Sequence, residues 1–101
     1  MPRIVLPAVY IMANRLNGTL YTGVTSDLIR RVWEHRNEFC SGFAKSHKLK
    51  LLVYYENHPT MENAICREKQ LKKWNRLWKL KLINDFNPEW RDLYDLIRGF
   101  E

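Results

Sequence analysis

One short stretch of the chain carries four residues that suit phosphate chemistry: Tyr21, Gly23, Arg31 and His35. The stretch is predicted to start as a strand, cross a turn and continue as a helix. On that helix Arg31 and His35 lie one turn apart, so they project from the same side. A phenol, a permanently charged guanidinium and an imidazole around one strand-to-helix junction suit a site that holds a phosphate.

A second tyrosine, Tyr10, is expected to lie beside these residues, because a predicted β-hairpin brings its strand next to that of Tyr21. Alternating apolar residues predict strands over 8–14 and 19–24, with an Asn-Gly turn signal between them. If the loop between the strands has an even number of residues, about two or four, Tyr10, Tyr21 and Gly23 lie on one face of the sheet.

Gly23 lies inside the second predicted strand, where glycine weakens pairing. Such a glycine marks either the close approach of a ligand or another backbone, or a bulge, and the sequence leaves both open. The helix that follows is expected to be capped by Thr25 or Ser26, with Asp27 in its first turn, and to end near Asn37. The other predicted elements are a loop over 39–48, a strand over 50–56, a helix from Met61, a helix over 75–84 and a short amphipathic segment over 90–100.

Length and composition describe an ordinary globular domain. The 101 residues suffice for one domain, expected over 1–101, with roughly three strands and three or four helices. The apolar fraction of 46% with 28% charged residues argues against disorder, and no apolar run approaches membrane-spanning length. We expect a cytoplasmic protein without a membrane partner. Cys40 and Cys66 lack metal-site spacing and are expected to be free thiols.

The net charge of +6 favours a polyanionic partner. The charge is concentrated between Arg67 and Lys81, where seven basic residues and one acid alternate with Trp74 and Trp78. Nucleic acid is the favoured partner of this surface. The alternative is a solvated basic face whose tryptophans pack inward.

Glu68 breaks the pattern of its predicted helix, because it falls inside the apolar stripe between Leu71 and Met61. A buried, unpaired carboxylate costs several kcal/mol, so it must be paired, protonated or bound to a cation. We expect Glu68 to be a metal ligand. The alternative is an ion pair with Lys72 or with an arginine from elsewhere in the fold.

Two strand motifs and three later residues resemble the GIY-YIG nuclease superfamily. They are Ala8-Val9-Tyr10, Tyr21-Thr22-Gly23 eleven residues later from tyrosine to tyrosine, Arg31, His35 and the helical Glu68. Each strand motif differs from the family pattern at one or two positions but keeps its tyrosine. The stretches Glu68 to Trp74 and Asn87 to Trp90 look like those of the small stand-alone bacterial branch.

The resemblance implies an α+β (α/β) fold with a three-stranded antiparallel sheet flanked by helices. It also implies hydrolysis of DNA phosphodiester bonds assisted by one divalent cation, Mg²⁺ or Mn²⁺. The cation would be held by Glu68 and the scissile phosphate by Arg31, while Tyr10 and Tyr21 would position or activate the attacking water. His35 lies where other branches carry a tyrosine, and its alternative is a structural, hydrogen-bonded histidine.

A late family asparagine is matched to Asn87, with Asn84 as its rival. The residues expected to contact nucleic acid are Gly23, Lys45, Lys48, Lys69, Lys72, Lys73 and Arg76. The first hypothesis is therefore a metal-dependent DNA endonuclease, with RNA left open as a substrate. A non-catalytic nucleic-acid-binding module and a structural or interaction domain are the rivals. Target specificity is left open between DNA shape, a flap or branch, and a partner protein.

Overall fold

A computed structural model describes residues 5–40 and 42–99 of the chain. In this part the elements are, in chain order, β1 (Ala8–Ala13), β2 (Leu20–Thr25), α1 (Leu28–Arg36), α2 (Phe43–Ser46), β3 (Leu51–Asn57), α3 (Met61–Lys73), α4 (Arg76–Phe86) and α5 (Tyr94–Arg98). The predicted strands and the helices corresponding to α3 and α4 are confirmed, with ends that differ by at most two residues. The predicted loop over 39–48 was wrong in part, because it contains α2. Ser41 in that loop and Phe100 in the last segment lie outside the described residues.

The three strands form one antiparallel sheet in the order β2-β1-β3. This confirms the predicted α+β architecture. β1 is the central strand, paired on both edges, and all six of its residues are buried. A strand covered on both faces needs apolar side chains on both, which explains its sequence Ala-Val-Tyr-Ile-Met-Ala.

Helices cover both faces of the sheet. On the face of Tyr10 and Met12, the core includes side chains from α1, α2 and α5: Leu28, Val32, Ala44 and Tyr94. On the face of Val9 and Ile11, the core includes side chains from α3 and α4: Ala64, Leu71 and Ile83. Alternate residues of β1 therefore belong to different cores, as the period of a strand requires.

The hairpin register confirms the predicted face of the site residues. Tyr10 lies opposite Gly23, and Met12 lies opposite Tyr21. The connection is longer than expected, since six residues, 14–19, join the two strands. Asn14 shapes this connection by accepting a hydrogen bond at Oδ1 from the Thr19 amide, at 2.9 Å.

Each of the three longest helices is preceded by a capping residue whose side chain accepts a hydrogen bond from a backbone amide in the first turn. Thr60 caps α3 and Asn75 caps α4, as their positions in the sequence indicate. For α1 the prediction was wrong: Asp27 is the cap itself, and it accepts from the Arg30 amide at 3.3 Å. Thr25 instead accepts a hydrogen bond from the Asp27 amide, at 3.0 Å, and so orients the cap.

Two further features bear on the expectations drawn from composition. Cys40 and Cys66 are free cysteines. Among the described residues no helix has the length and apolar character needed to cross a membrane.

The segment after α4 covers the outer edge of β3. The Leu93 amide donates to the Leu52 carbonyl at 2.8 Å, and the Leu52 amide donates to Asp92 Oδ1 at 3.2 Å. The Asn87 side chain donates to the Val53 carbonyl at 3.1 Å. These bonds satisfy backbone groups that an edge strand otherwise exposes.

Asn87 is the centre of this arrangement and is only 5% exposed. Its Nδ2 also donates to the Arg91 carbonyl at 2.9 Å, while its Oδ1 accepts from the Arg91 amide at 3.1 Å. Its amide is therefore committed to backbone partners. The rival Asn84 also has a structural partner, since its Oδ1 accepts from Trp90 Nε1 at 2.6 Å. This geometry supports a structural role for Asn87, in place of the catalytic role expected from the resemblance.

The substitution Asn87→Ala should lower the free energy of unfolding by about 2–3 kcal/mol, because it leaves buried backbone groups of Val53 and Arg91 without partners. Urea denaturation followed by circular dichroism measures the change. Asn84→Ala is the matched control and should cost about 1 kcal/mol, since it removes one hydrogen bond. An Asn87→Ala protein of unchanged stability that cannot cut nucleic acid would restore the catalytic assignment.

Candidate active site

The site is built on the close approach of Tyr10 to Gly23. A Cβ atom added to Gly23 would lie 2.5 Å from the Tyr10 hydroxyl oxygen and 2.6 Å from Cζ. Only glycine lets the phenol ring lie across β2 at this point. The group that approaches Gly23 is thus the Tyr10 side chain, and not the ligand, backbone or bulge expected from the sequence. The geometry supports a positioning role for Gly23 in place of direct contact with nucleic acid.

Tyr10, Tyr21 and His35 form an aromatic cluster on one face of the sheet. The ring centroid of His35 lies 5.7 Å from that of Tyr10 and 5.6 Å from that of Tyr21. The His35 Nε2 atom is 3.1 Å from the Tyr10 hydroxyl, within hydrogen-bond distance. Because His35 is only 1% exposed, its imidazole faces Tyr10 and not solvent.

Arg31 contacts the same hydroxyl. Its Nε donates to the Tyr10 oxygen at 3.4 Å, and its Nη1 donates to Glu34 Oε1 at 3.1 Å. Glu34 is a residue of the site that the sequence analysis missed. Its spacing of three residues from Arg31 on the same helix was the available signal. Four predicted site residues, Tyr10, Tyr21, Arg31 and His35, are thus brought together.

Burial decides the protonation of the two central groups. It raises the pKa of Tyr10 to about 12, although the hydrogen bond and charge of Arg31 oppose the shift. Burial, assisted by the charge of Arg31, lowers the pKa of His35 to about 4. Near neutral pH the site therefore pairs a neutral phenol with a neutral imidazole. The charge of Arg31 favours the ionised phenol of Tyr10, but burial outweighs it.

The unused nitrogen of His35 limits how the hydrogen bonds can be arranged. In the described part of the chain, His35 Nδ1 is buried and has no hydrogen-bond partner. If that nitrogen carries the proton, Nε2 accepts the Tyr10 hydroxyl proton and the phenol oxygen keeps acceptor capacity for a water. If Nε2 carries it, Tyr10 accepts from both neighbours and its own O–H can donate to a ligand.

Glu68 is carried by α3, which is not among the helices that pack on the face of Tyr10. Its helix, α3, packs through Ala64 and Leu71 against Val9 on the opposite face. The Glu68 side chain is 14% exposed and forms an ion pair with Lys72 at 3.2 Å. The alternative weighed from the sequence is therefore present, and the metal-ligand role of Glu68 stays a prediction.

The side chains present could bind a metal ion only through a single carboxylate, that of Glu68. Within residues 5–40 and 42–99 no group of three or more His, Cys, Asp or Glu side chains is placed to hold an ion. A hard cation such as Mg²⁺ needs only one or two protein carboxylates and fills its other positions with water and phosphate oxygens. Glu68 suits that mode of binding, whereas Zn²⁺ with its closed set of nitrogen and sulfur ligands does not fit.

The basic residues predicted to contact nucleic acid divide into two groups. Two of them have partners within the protein: Lys72 pairs with Glu68, and Arg76 Nη2 donates to the Asn17 and Gly18 carbonyls, each at 2.7 Å. The others are exposed, and no ion pair forms to them in the described residues: Lys45, Lys48, Lys69 and Lys73. Arg76 therefore supports the fold by joining α4 to the hairpin connection.

Comparison with known proteins agrees with this arrangement. A model of the GIY-YIG catalytic domain matches residues 6–81. A UPF0213 protein of Staphylococcus saprophyticus is 36% identical over 69 residues, which cover 68% of this chain and 84% of the relative. A UPF0213 protein of Syntrophus aciditrophicus is 38% identical over 72 residues, which cover 70% of this chain and 82% of the relative.

A solved structure is similar over most of its length. The solution NMR structure of the UPF0213 protein BH0048 from Bacillus halodurans aligns with a TM-score of 0.54 and 25% identity. The alignment covers 89% of this chain and 95% of that one. The family resemblance read from the two tyrosine motifs is confirmed, and the chain belongs to the GIY-YIG family, as a relative of the bacterial UPF0213 proteins.

Proposed function

We propose that the protein is a divalent-metal-dependent endonuclease that hydrolyses phosphodiester bonds in DNA. A GIY-YIG catalytic domain indicates a nuclease and a nucleic-acid substrate. The observation that carries the proposal for this chain is the placement of Arg31 Nε and His35 Nε2 around one hydroxyl, at 3.4 and 3.1 Å from the oxygen of Tyr10. Such a group can hold a water beside a bound phosphate.

Arg31 supplies the phosphate contact in this proposal. Two of its N–H donors are used by Tyr10 and Glu34, which fix the plane of the guanidinium. The remaining donors of that plane suit the oxygens of a phosphodiester, and its permanent charge stabilises the charge that grows on them. Glu34 thus acts as a positioning residue for Arg31.

Tyr10 and His35 supply the path for the proton. With the proton of His35 on Nδ1, the water gives a proton to the Tyr10 oxygen as the Tyr10 proton passes to His35 Nε2. The resulting hydroxide oxygen bonds to phosphorus, and the bond from phosphorus to the leaving oxygen breaks. The leaving oxygen takes a proton from solvent, and His35 returns its extra proton to solvent through Tyr10. The transfer needs no free phenolate, which agrees with the raised pKa of Tyr10. Tyr21 packs beside both rings and keeps them in place.

Glu68 is the residue that would hold the cation, Mg²⁺ or Mn²⁺. When bound, a divalent cation neutralises charge on the phosphoryl oxygens and on the leaving oxygen. Lys72 pairs with the Glu68 carboxylate in the structure, so the proposal requires Lys72 to give up this contact. Lys72 is half exposed, so its ammonium can turn toward solvent and remain hydrated when the contact breaks.

The same ion pair supports a second candidate function, a nucleic-acid-binding module without turnover. A carboxylate that stays paired with Lys72 holds no metal, while Arg31 and the exposed lysines still bind phosphates. Both functions predict affinity that falls with salt, because phosphate contacts release counterions. Only the formation of cleaved product distinguishes them.

The substitution Glu68→Ala should abolish cleavage and leave the fold intact, since the change removes the proposed metal ligand and a single ion pair with the half-exposed Lys72. Nicking of supercoiled plasmid is measured with Mg²⁺ or Mn²⁺ and with chelator, beside single-stranded and branched DNA. Metal-dependent cutting by the Glu68→Ala protein would contradict the metal-ligand assignment. Binding of every substrate without cutting by the wild-type protein would favour the binding module.

Two matched variants separate a metal ligand from an ion-pair partner. Glu62→Ala removes an exposed carboxylate from the first turn of the same helix and should leave cleavage unchanged. Lys72→Ala breaks the ion pair but keeps Glu68, so at saturating DNA it should retain cleavage. If Lys72→Ala is as inactive as Glu68→Ala, the ion pair and not a metal site is what Glu68 provides.

The buried neutral His35 should make stability depend on pH. The folded protein holds the pKa of His35 at about 4, below the 6.5 of an unfolded chain, so only the unfolded state takes up the proton between these values. The contribution of His35 is fully present above pH 6.5 and is lost progressively as the pH falls toward 4, by about 3 kcal/mol.

Urea denaturation across this pH range should show a smaller decline for His35→Gln than for the wild-type protein. The comparison is made as the difference between the two proteins, because carboxylates elsewhere titrate in both. An identical pH dependence of the two would show that folding does not lower the pKa of His35, and it would contradict the buried, neutral imidazole below pH 6.5.

A further inference from the structure

A second aromatic surface lies away from the Tyr10 cluster, at the junction of α3 and α4. Leu77 and Trp78, in the first turn of α4, are 75% and 57% exposed. The alternative in which both tryptophans of the basic stretch pack inward is therefore wrong for Trp78. Trp74 is partly buried beside Val9 and Leu71 and belongs to the core.

Contacts within the protein restrain both the ring and the backbone of Trp78. Its ring meets the ring of Trp74 edge to face, with centroids 5.8 Å apart and an interplanar angle of 87°. Its backbone amide donates to the capping Asn75 Oδ1 at 2.9 Å. An exposed ring that is already fixed loses little conformational entropy when it binds a partner.

The support continues into the sheet through an ion-paired arginine. The Arg67 guanidinium lies over the Trp74 ring, 5.2 Å from its centroid. Arg67 Nε also donates to Glu56 Oε2 on β3 at 3.1 Å, and Glu56 accepts from the Tyr54 hydroxyl at 2.5 Å. These hydrogen bonds lower the pKa of Glu56, although its burial opposes the shift, so the carboxylate stays charged and holds Arg67. Trp78 is thus connected to the edge strand β3 through successive contacts with Trp74, Arg67 and Glu56.

Two lysines of α3, the helix that ends at Lys73 directly before Trp74, indicate the chemistry of a partner. Lys69 and Lys73 lie one turn apart on α3 and are exposed, and neither forms an ion pair with a described residue. An exposed aromatic ring that contacts Trp74, at the end of a helix carrying lysines without a carboxylate partner, matches a strand of nucleic acid, which offers a flat base and a phosphate. An intact duplex keeps its bases stacked inside, so the ring needs a base that is unpaired.

We propose that Trp78, with Leu77 beside it, is a stacking site for an unpaired base, and that Lys69 and Lys73 contact the adjoining phosphates. The proposal rests on the proposed nucleic-acid function and adds a preference for single-stranded or frayed substrates. An acidic protein partner on the same surface is the competing occupant, and the test distinguishes the two.

The test measures binding in chelator, so that no cleavage occurs. A labelled single-stranded oligonucleotide about 12 nucleotides long and the duplex of the same sequence are titrated by fluorescence anisotropy. Trp78→Ala should weaken binding of the single strand about tenfold, because stacking on that base is lost, and leave the duplex within about twofold. Trp78→Phe keeps an aromatic ring and should restore most of the affinity.

Two controls define the surface. Trp33→Ala removes another exposed tryptophan, 46% exposed and stacked on Phe39, and should change neither affinity. Trp78→Ala should leave the slope of log affinity against log salt unchanged, whereas Lys73→Ala should reduce that slope by about one for either substrate. Equal losses on single strand and duplex, or no loss on the single strand, would overturn the stacking site.

The outcome is separable from that of the nuclease proposal. A protein that cuts DNA but binds single strands equally well with Trp78→Ala keeps the nuclease function and loses the stacking site. A protein that binds single strands through Trp78 but cuts no substrate keeps the stacking site and loses the nuclease. Absence of binding to either oligonucleotide would overturn both and favour the protein partner.

Discussion

The packing of the Tyr10 ring across Gly23 is the constraint on which the site depends. β1 is the central strand, so the position of Tyr10 is set by pairing on both sides. At Gly23 the ring passes where any side chain would collide with it. The contact brings the phenol oxygen to Arg31 and His35, which come from a helix that begins directly after the same hairpin. A slip of one residue between β1 and β2 would turn Tyr10 to the opposite face and dissolve the cluster.

Much of this arrangement could be predicted because it is encoded locally. Alternation of side chains gives the face of Tyr10 and Tyr21 for any loop of even length, and helical spacing gives Arg31 and His35. The loop length itself could not be predicted, because the six-residue connection is closed by a hydrogen bond from the Thr19 amide to the Asn14 side chain, which competes with the Asn-Gly turn signal. The cap at Asp27 was misjudged for a similar reason, since three neighbouring polar residues could each have served.

What the sequence could not provide is the balance of charge and burial in the folded protein. Charge counting treats Arg76 as a free cation, yet the fold uses it to hold two loop carbonyls. Helical spacing offered the pair of Lys72 with Glu68 as one alternative, and the sequence alone could not choose it over a metal. The same limit applies to Tyr10, where the presence of Arg31 was foreseen and the stronger effect of burial was not. Asn87 matched a family position by its order in the chain, whereas its contacts depend on β3, more than thirty residues earlier.

The covered edge of β3 has a consequence for where the folding unit ends. The family model stops at residue 81, but the groups that satisfy Leu52 and Val53 come from residues 87–93. A shortened chain ending at residue 81 would keep Tyr10, Arg31, His35 and Glu68 and still present a bare strand edge to its neighbours. Such edges pair between molecules, so this truncation is a route to insoluble assemblies. Residue 81, where the match to the family model ends, is therefore not a suitable end for a fragment that is to be expressed alone.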